Sequence, residues 1–194
     1  MKRDLRIAVI DKNPLRAAVL EEGLREAGHM SVVRIDDTAE LLDRLRVIDP
    51  DVILIDLESP SRDVLEQMFV VSRSVARPVA MFVDHSDTAM INAAMDAGVS
   101  AYIVDGLRKD RVKPILDTTI SRFNVFAKLK GELEQAKSQI EDRKAIDRAK
   151  ALIMRAKSIP EEQAYALMRQ TAMNENKKIA DIARSIITAA ELLR

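Results

Sequence analysis

The chain has 194 residues, of which 47% are hydrophobic, enough for one full domain with its own core and a smaller second one. It has neither cysteine nor tryptophan, which excludes a disulfide framework and any cysteine-ligated metal site, so a cytoplasmic location is expected. Basic and acidic residues balance at 31 each but not along the chain: residues 1–121 carry 16 Lys+Arg against 21 Asp+Glu, and residues 122–194 carry 15 against 10.

The first segment, MKRDLRIAVIDKN, offers only the run IAVI before Asp11, too short for a signal peptide, and no later stretch approaches a membrane span. Short apolar runs then recur at residues 6–10 (RIAVI), 31–35 (SVVRI), 51–56 (DVILID), 79–83 (VAMFV) and 101–104 (AYIV), separated by helix-period segments. That alternation predicts a five-stranded parallel sheet covered by helices, an α/β unit. Gly28 and Gly98 are placed to end helices in the left-handed conformation. Pro50 marks the end of the second helix, and Asp51 opens the central strand. In such a fold ligands gather at the carboxyl ends of the strands, where Asp11 and Asp56 both fall. His29, following Gly28 in a turn, reads as an exposed residue. His85 adjoins Asp84 at the same sheet edge, and neither histidine belongs to a catalytic constellation, so no enzyme activity is expected.

Further along, Phe126, Leu129, Leu133, Ala136 and Ile140 are spaced 3, 4, 3 and 4, the a/d repeat of a helical seam flanked by Lys128, Lys130, Glu132, Glu134 and Lys137. The seam fits a homodimer or a helix lying on its own domain. After Ile140 a new stripe begins at Ile146, Ala149, Ile153 and Ala156. Ser158 and Glu161 have the spacing of a capping box for the next helix, which buries Ala164, Leu167, Met168 and Ala172. Asn174-Glu175-Asn176 makes a turn, and Ile179, Ile182, Ala183, Ile186 and Ile187 form the inner face of a third helix. Arg148, Lys150, Arg155, Arg169, Lys177 and Lys178, beside a partly exposed Tyr165, form a basic surface suited to phosphates and an unpaired base. On charge alone, a DNA-binding helical module would look similar.

Residues 5–121 resemble the receiver domain of two-component regulators, chiefly through DVILIDLESPSRD, with Asp56 at the phosphoacceptor position, Pro78 before the fourth strand and Tyr102 on the fifth. The resemblance implies a doubly wound, flavodoxin-like sheet. Receivers hold Mg²⁺ with two adjacent acids after the first strand; here the pair reads Asp11 and Lys12. Val83, followed by Asp84, stands where receivers place Ser or Thr, and Asp105-Gly106 stands where they place Lys. Formation of an aspartyl phosphate relies on a divalent cation and a fixed ammonium. This pocket is therefore expected to be degenerate and unphosphorylated, with Lys12 placed to neutralise Asp56.

Residues 146–187 resemble the ANTAR domain, through Ala149-Lys150-Ala151-Leu152-Ile153-Met154, Ala164-Tyr165, Leu167-Met168-Arg169, Ala172-Met173 and Lys178-Ile179 with Ala183. The expected domains are a receiver-like unit at 1–121, a helical coiled-coil linker at 122–145 and a three-helix ANTAR unit at 146–194. Together they resemble nitrate and nitrite assimilation antiterminators of the NasT type. What that implies is a regulator that binds paired stem-loops in leader RNA, is controlled by a nitrate-sensing NasS-type protein, and has no cofactor and no membrane partner. Two other readings remain: a phosphorylation-driven DNA-binding regulator, and an adaptor that binds only proteins.

Overall fold

The computed structural model describes residues 4–58 and 60–192, so Ser59 of the DVILIDLESPSRD run lies outside the described residues. Five strands, β1 (Ile7–Ile10), β2 (Val32–Ile35), β3 (Val52–Leu57), β4 (Val79–Val83) and β5 (Ala101–Val104), form a parallel sheet in the order β2-β1-β3-β4-β5. Each predicted run becomes a strand, shifted by no more than a residue. Register pairs Ile10 of β1 with Ile35 of β2 and Ile55 of β3, while Leu57 of β3 pairs with Val83 of β4. Helices α1 (Pro14–Glu26), α2 (Leu41–Ile48), α3 (Arg62–Ser74) and α4 (Thr88–Asp96) supply the crossovers, and with the beginning of α5 (Lys109–Lys157) they cover the sheet.

Side chains alternate across a strand, so each strand feeds two cores. Ala8, Ile10, Ile53, Ile55, Val79 and Met81 pack against Leu41 and Leu45 of α2 and Leu65, Met68 and Phe69 of α3. Ile7, Val9, Val52, Leu54 and Phe82 pack on the opposite face with Leu20 and Leu24 of α1 and Val112 and Leu116 of α5. Burial on both faces explains why β3 reads as an unbroken apolar run before Asp56.

Helix ends fix where the strands emerge. Asn13 caps α1, its side chain accepting from Leu15 N at 3.0 Å, with Pro14 at the first helical position. Gly28 (φ +91°) and Gly98 (φ +83°) end α1 and α4. At both ends the following residue's N–H reaches back into the helix, His29 to Leu24 O and Val99 to Ala94 O. His29 itself is not the exposed turn residue expected: it is 4% exposed, and its Nδ1 faces the Leu5 N–H at 3.5 Å. The Schellman turn that uses Gly28 carries the next residue inward, a consequence of the glycine that its position in a turn conceals.

Contacts divide the chain into Met1–Ala127 and Lys128–Arg194. In the second unit the end of α5 meets α6 (Glu161–Glu175) and α7 (Ile179–Leu192) around Ala149, Met168 and Ala183, with Ile146, Ile153, Ile179, Ile186 and Ile187 at the margin. Ala149, Ala164 and Ala183 are fully buried, as small residues at close helix crossings should be. Leu167, expected in this core, is 44% exposed. The capping box is also absent. Glu161 opens α6, so Pro160 is its N-cap, and Ser158, in the left-handed region at φ +53°, lies two residues too early. Ile159 precedes a proline and is steered out of helix, which separates Ser158 from the α6 amides. Among the described residues no helix is long and apolar enough to cross a membrane.

Candidate functional site

At the carboxyl edge of the sheet, Asp11 follows β1, Asp56 lies in β3 and Asp84 follows β4. Asp11 and Asp56 are each 3% exposed. The cation among them is Arg16, not Lys12. Arg16 Nε donates to Asp56 Oδ2 at 2.7 Å and its Nη2 to Asp56 Oδ1 at 2.7 Å, while Nη1 donates to Asp84 Oδ1 at 2.9 Å. Lys12 is exposed. The reason is positional: Lys12 precedes the helix and turns outward, whereas Arg16 lies in the first turn of α1, which Asn13 and Pro14 start directly beside Asp11. Sequence reasoning missed Arg16, although a signal existed. The first turn of a helix favours acids, and α1 has none there but has an arginine, so something outside the helix must stabilise that charge.

The carboxylates respond to the dry setting. Asp11 Oδ1 accepts from Asn13 N at 2.7 Å, but its Oδ2 is buried without a donor among the described residues. Burial first, and the neighbouring Asp56 charge as well, push the Asp11 pKa up to about 6. Asp56, through its hydrogen bonds, raises the pKa of Arg16 further, so this guanidinium is never neutral. Asn13 also donates to Glu58, closing the rim.

The other receiver-like positions stand as follows. Val83 ends β4 and is 1% exposed, with no hydroxyl to offer a phosphoryl group. Tyr102 is half-buried, its hydroxyl 3.0 Å from Ser86 Oγ. Asp105 is exposed, with φ +47°. The Mg²⁺ that the receiver resemblance implies does not fit these residues. Both oxygens of Asp56 and one of Asp84 already accept from a permanent cation, and the second metal-binding acid is the outward-facing Lys12.

In the second unit the basic residues separate into two kinds. Lys150 is held between Asp147 at 2.7 Å and Glu161 at 2.6 Å, its side chain only 16% exposed. Those two carboxylates, Asp147 foremost, raise its pKa. Arg148 pairs with Glu191 at 2.7 Å, and Lys177 with Glu175 at 2.8 Å. Arg155, Arg169 and Lys178, together with Lys157, are exposed and make no ion pair with another described residue. Tyr165 is 43% exposed and Met173 66%, so Met173 is not the packing residue its apolar character suggests. Tyr165, Arg169 and Met173 are spaced by four and form one outward stripe of α6. Asn176 in the left-handed region ends α6 and leads directly into Lys177 and Lys178.

The seam residues Phe126, Leu129, Leu133 and Ile140 are between 54% and 66% exposed, and Ala136 is exposed too.

Residues 7–117 match the family model of the response regulator receiver domain, and residues 134–187 match that of the ANTAR domain. The transcriptional regulatory protein PdtaR of Mycobacterium tuberculosis (strain ATCC 25618 / H37Rv) is 25% identical over 182 residues, 94% of this chain and 89% of that protein. A nitrate regulatory protein of Klebsiella oxytoca is 33% identical over 82 residues, which are 42% of this chain and 21% of that protein. Among solved structures, the receiver domain of a modulated diguanylate cyclase from Desulfovibrio desulfuricans G20 superposes with a TM-score of 0.54 at 16% identity, covering 63% of this chain and 98% of that one. The receiver domain of Thermotoga maritima CheB gives 0.52 at 21% identity, covering 63% and 98%. These two likenesses speak to the fold alone.

Proposed function

The chain belongs to the response regulator receiver domain family and carries an ANTAR domain behind its receiver, and from that premise we propose that it is a transcription antitermination regulator. Its ligand is leader RNA with paired stem-loops ahead of nitrate and nitrite assimilation genes. Its control is release from a nitrate-sensing, NasS-type protein, with no phosphoryl transfer to Asp56. The nitrate part of this reading is supported by the Klebsiella relative. The protein-controlled part is supported by the occupied pocket, in which Arg16 holds both Asp56 oxygens.

The observation that carries the RNA reading is the outward stripe of α6. An aromatic ring and an unpaired guanidinium one turn apart supply stacking and phosphate contact together, the combination that reads unstacked loop bases. Tyr165, Arg169 and Lys178 are the principal contacts, with Arg155 adding charge. Arg148, Lys150 and Lys177 start from existing carboxylate pairs and contribute less. The test is binding of full-length variants to a two-hairpin leader RNA. Arg169→Ala and Tyr165→Ala should each weaken binding by about tenfold or more, whereas Lys150→Ala should cost a few-fold at most. Equal losses at all three positions would remove the distinction, and no loss at any would remove RNA recognition from this face.

A second copy of the chain is the partner for the seam. Four large apolar side chains at a/d spacing, all more than half exposed, match a self-complementary coiled coil. Leu133→Glu should turn a dimer in sedimentation into a monomer; an unchanged sedimentation coefficient would contradict this.

A further inference from the structure

Of the two histidines, His85 is exposed and His29 is buried, carried inward by the turn at Gly28. His29 lines a cavity of about 200 Å³ between the last turns of α1 and the edge strand β2, together with Glu21, Arg25, Met30, Val32 and Arg34. The Leu5 N–H donates to His29 Nδ1 at 3.5 Å, and a ring nitrogen that accepts carries no proton, which assigns the proton to Nε2. Asp4 lies on the Nδ1 side, its Oδ1 4.0 Å from that nitrogen and engaged by Met30 N–H at 3.1 Å. His29 Nε2 has no hydrogen-bond partner among the described residues, yet it is not sealed as Asp11 Oδ2 is, so this donor opens on the cavity. Two guanidiniums share the lining. Arg25 makes no ion pair with another described residue, and Arg34 donates only to Asp11 O, by two long bonds of 3.4 Å. Neither is claimed by a carboxylate, in contrast to Arg16.

We propose that this cavity binds a small, singly charged oxyanion with planar oxygens, a carboxylate or nitrate, held by His29 Nε2–H and the Arg25 and Arg34 guanidiniums. A guanidinium meets a planar oxyanion with parallel N–H donors, and a buried imidazole N–H without an acceptor supplies a third, fixed direction. Glu21 sets the charge of the ligand. Two arginines and one glutamate leave the lining at +1, which one negative charge cancels and two overshoot. The volume sets its size, below that of the molecules that fill pockets of about 300–1,000 Å³. All of these residues belong to the first unit, so the site holds whether or not the second unit binds RNA.

The test is side-chain ¹H–¹⁵N spectroscopy of the full chain at about pH 8, above the ordinary imidazole range, with His85→Gln to assign the two histidines. Wild-type His29 should carry its proton on Nε2. Sodium acetate or sodium nitrate should move that resonance to saturation with a midpoint of about 1–10 mM, sodium sulfate should bind at least about fivefold more weakly, and sodium chloride should not saturate it. Saturation by acetate alone, by nitrate alone or by both supports the site, and distinguishes a metabolite carboxylate, an inorganic ion and a pocket that reads only charge and planarity. Arg34→Gln and Arg25→Gln should each weaken binding about fivefold or more, and Glu21→Gln should move the preference toward sulfate by a similar factor. The absence of a saturable shift with either planar ion, a proton on Nδ1, tighter binding of sulfate by wild type, or unchanged binding in both arginine variants would each overturn the proposal. Should an arginine variant fail to fold, the wild-type ion series and Glu21→Gln decide.

Discussion

Arg16 and Asp11 show how one buried edge assigns opposite fates to neighbouring charges. Arg16 is secured by two carboxylates, and deleting it strands acids in a dry pocket. Arg16→Ala should lower receiver stability by about 3 kcal/mol, measurable by urea unfolding of variant and wild type with a probe in the first unit. Asp11 pays the reverse penalty. Its pKa rises from 3.8 to about 6 on folding, so between those values the unfolded chain has released a proton that the folded one keeps. Stability should therefore fall as pH rises from about 4 to about 6 and level off above, by at most about 3 kcal/mol. Asp11→Asn should flatten that window when unfolding is compared at pH 4.5 and 7; an unchanged slope would place the titration elsewhere. At this scale the sequence placed Lys12, Val83 and Asp105 where the resemblance expects an acid, a hydroxyl and a lysine, but did not show that Arg16 holds Asp56. Arg16 is four residues away from Lys12 in the chain, and only the helix started by Asn13 and Pro14 brings it to Asp56.

Elements were far more legible than charges. Each strand is an apolar run bounded by turn residues, and both β4, buried on its two faces, and the partly exposed edge strand β5 match their expected bounds. The helical capping box failed for a local reason: spacing alone cannot see that Pro160 moves the start of α6 past Ser158. Leu167 failed for a different one. Its helix has a narrow buried line of Ala164, Met168 and Ala172, and apolar residues off that line, Leu167 and Met173, face outward. A close approach that no pattern revealed is Gly23 of α1 against α5. A Cβ there would lie 2.7 Å from Val112 Cγ2 and 2.9 Å from Lys109 O. Gly23→Ala should cost about 1–3 kcal/mol despite alanine's better helix propensity, seen as a lower unfolding midpoint of the first unit. A neutral or stabilising effect would mean that α1 and α5 part easily.

For the whole molecule, an acidic receiver and a basic helical unit balance to zero net charge, and the balance conceals the functional surface. Net positive charge in residues 122–194 did not identify which side chains are available, because carboxylates of the same unit claim Arg148, Lys150 and Lys177. What remains is a small set of exposed cations, Arg155, Lys157, Arg169 and Lys178, that pair with no other described residue, of which Arg169 lies one turn from Tyr165 on α6. The most direct measurement of the RNA reading is fluorescence anisotropy of the full chain with a two-hairpin leader RNA and with a loop-scrambled copy, from about 50 to about 200 mM salt. The account predicts about tenfold or greater preference for the intact loops at every salt concentration, with affinity falling steeply as salt rises, by a log–log slope of about −2 or steeper. Equal, weak and salt-insensitive binding to both RNAs would contradict it and leave the helices as a protein-binding surface.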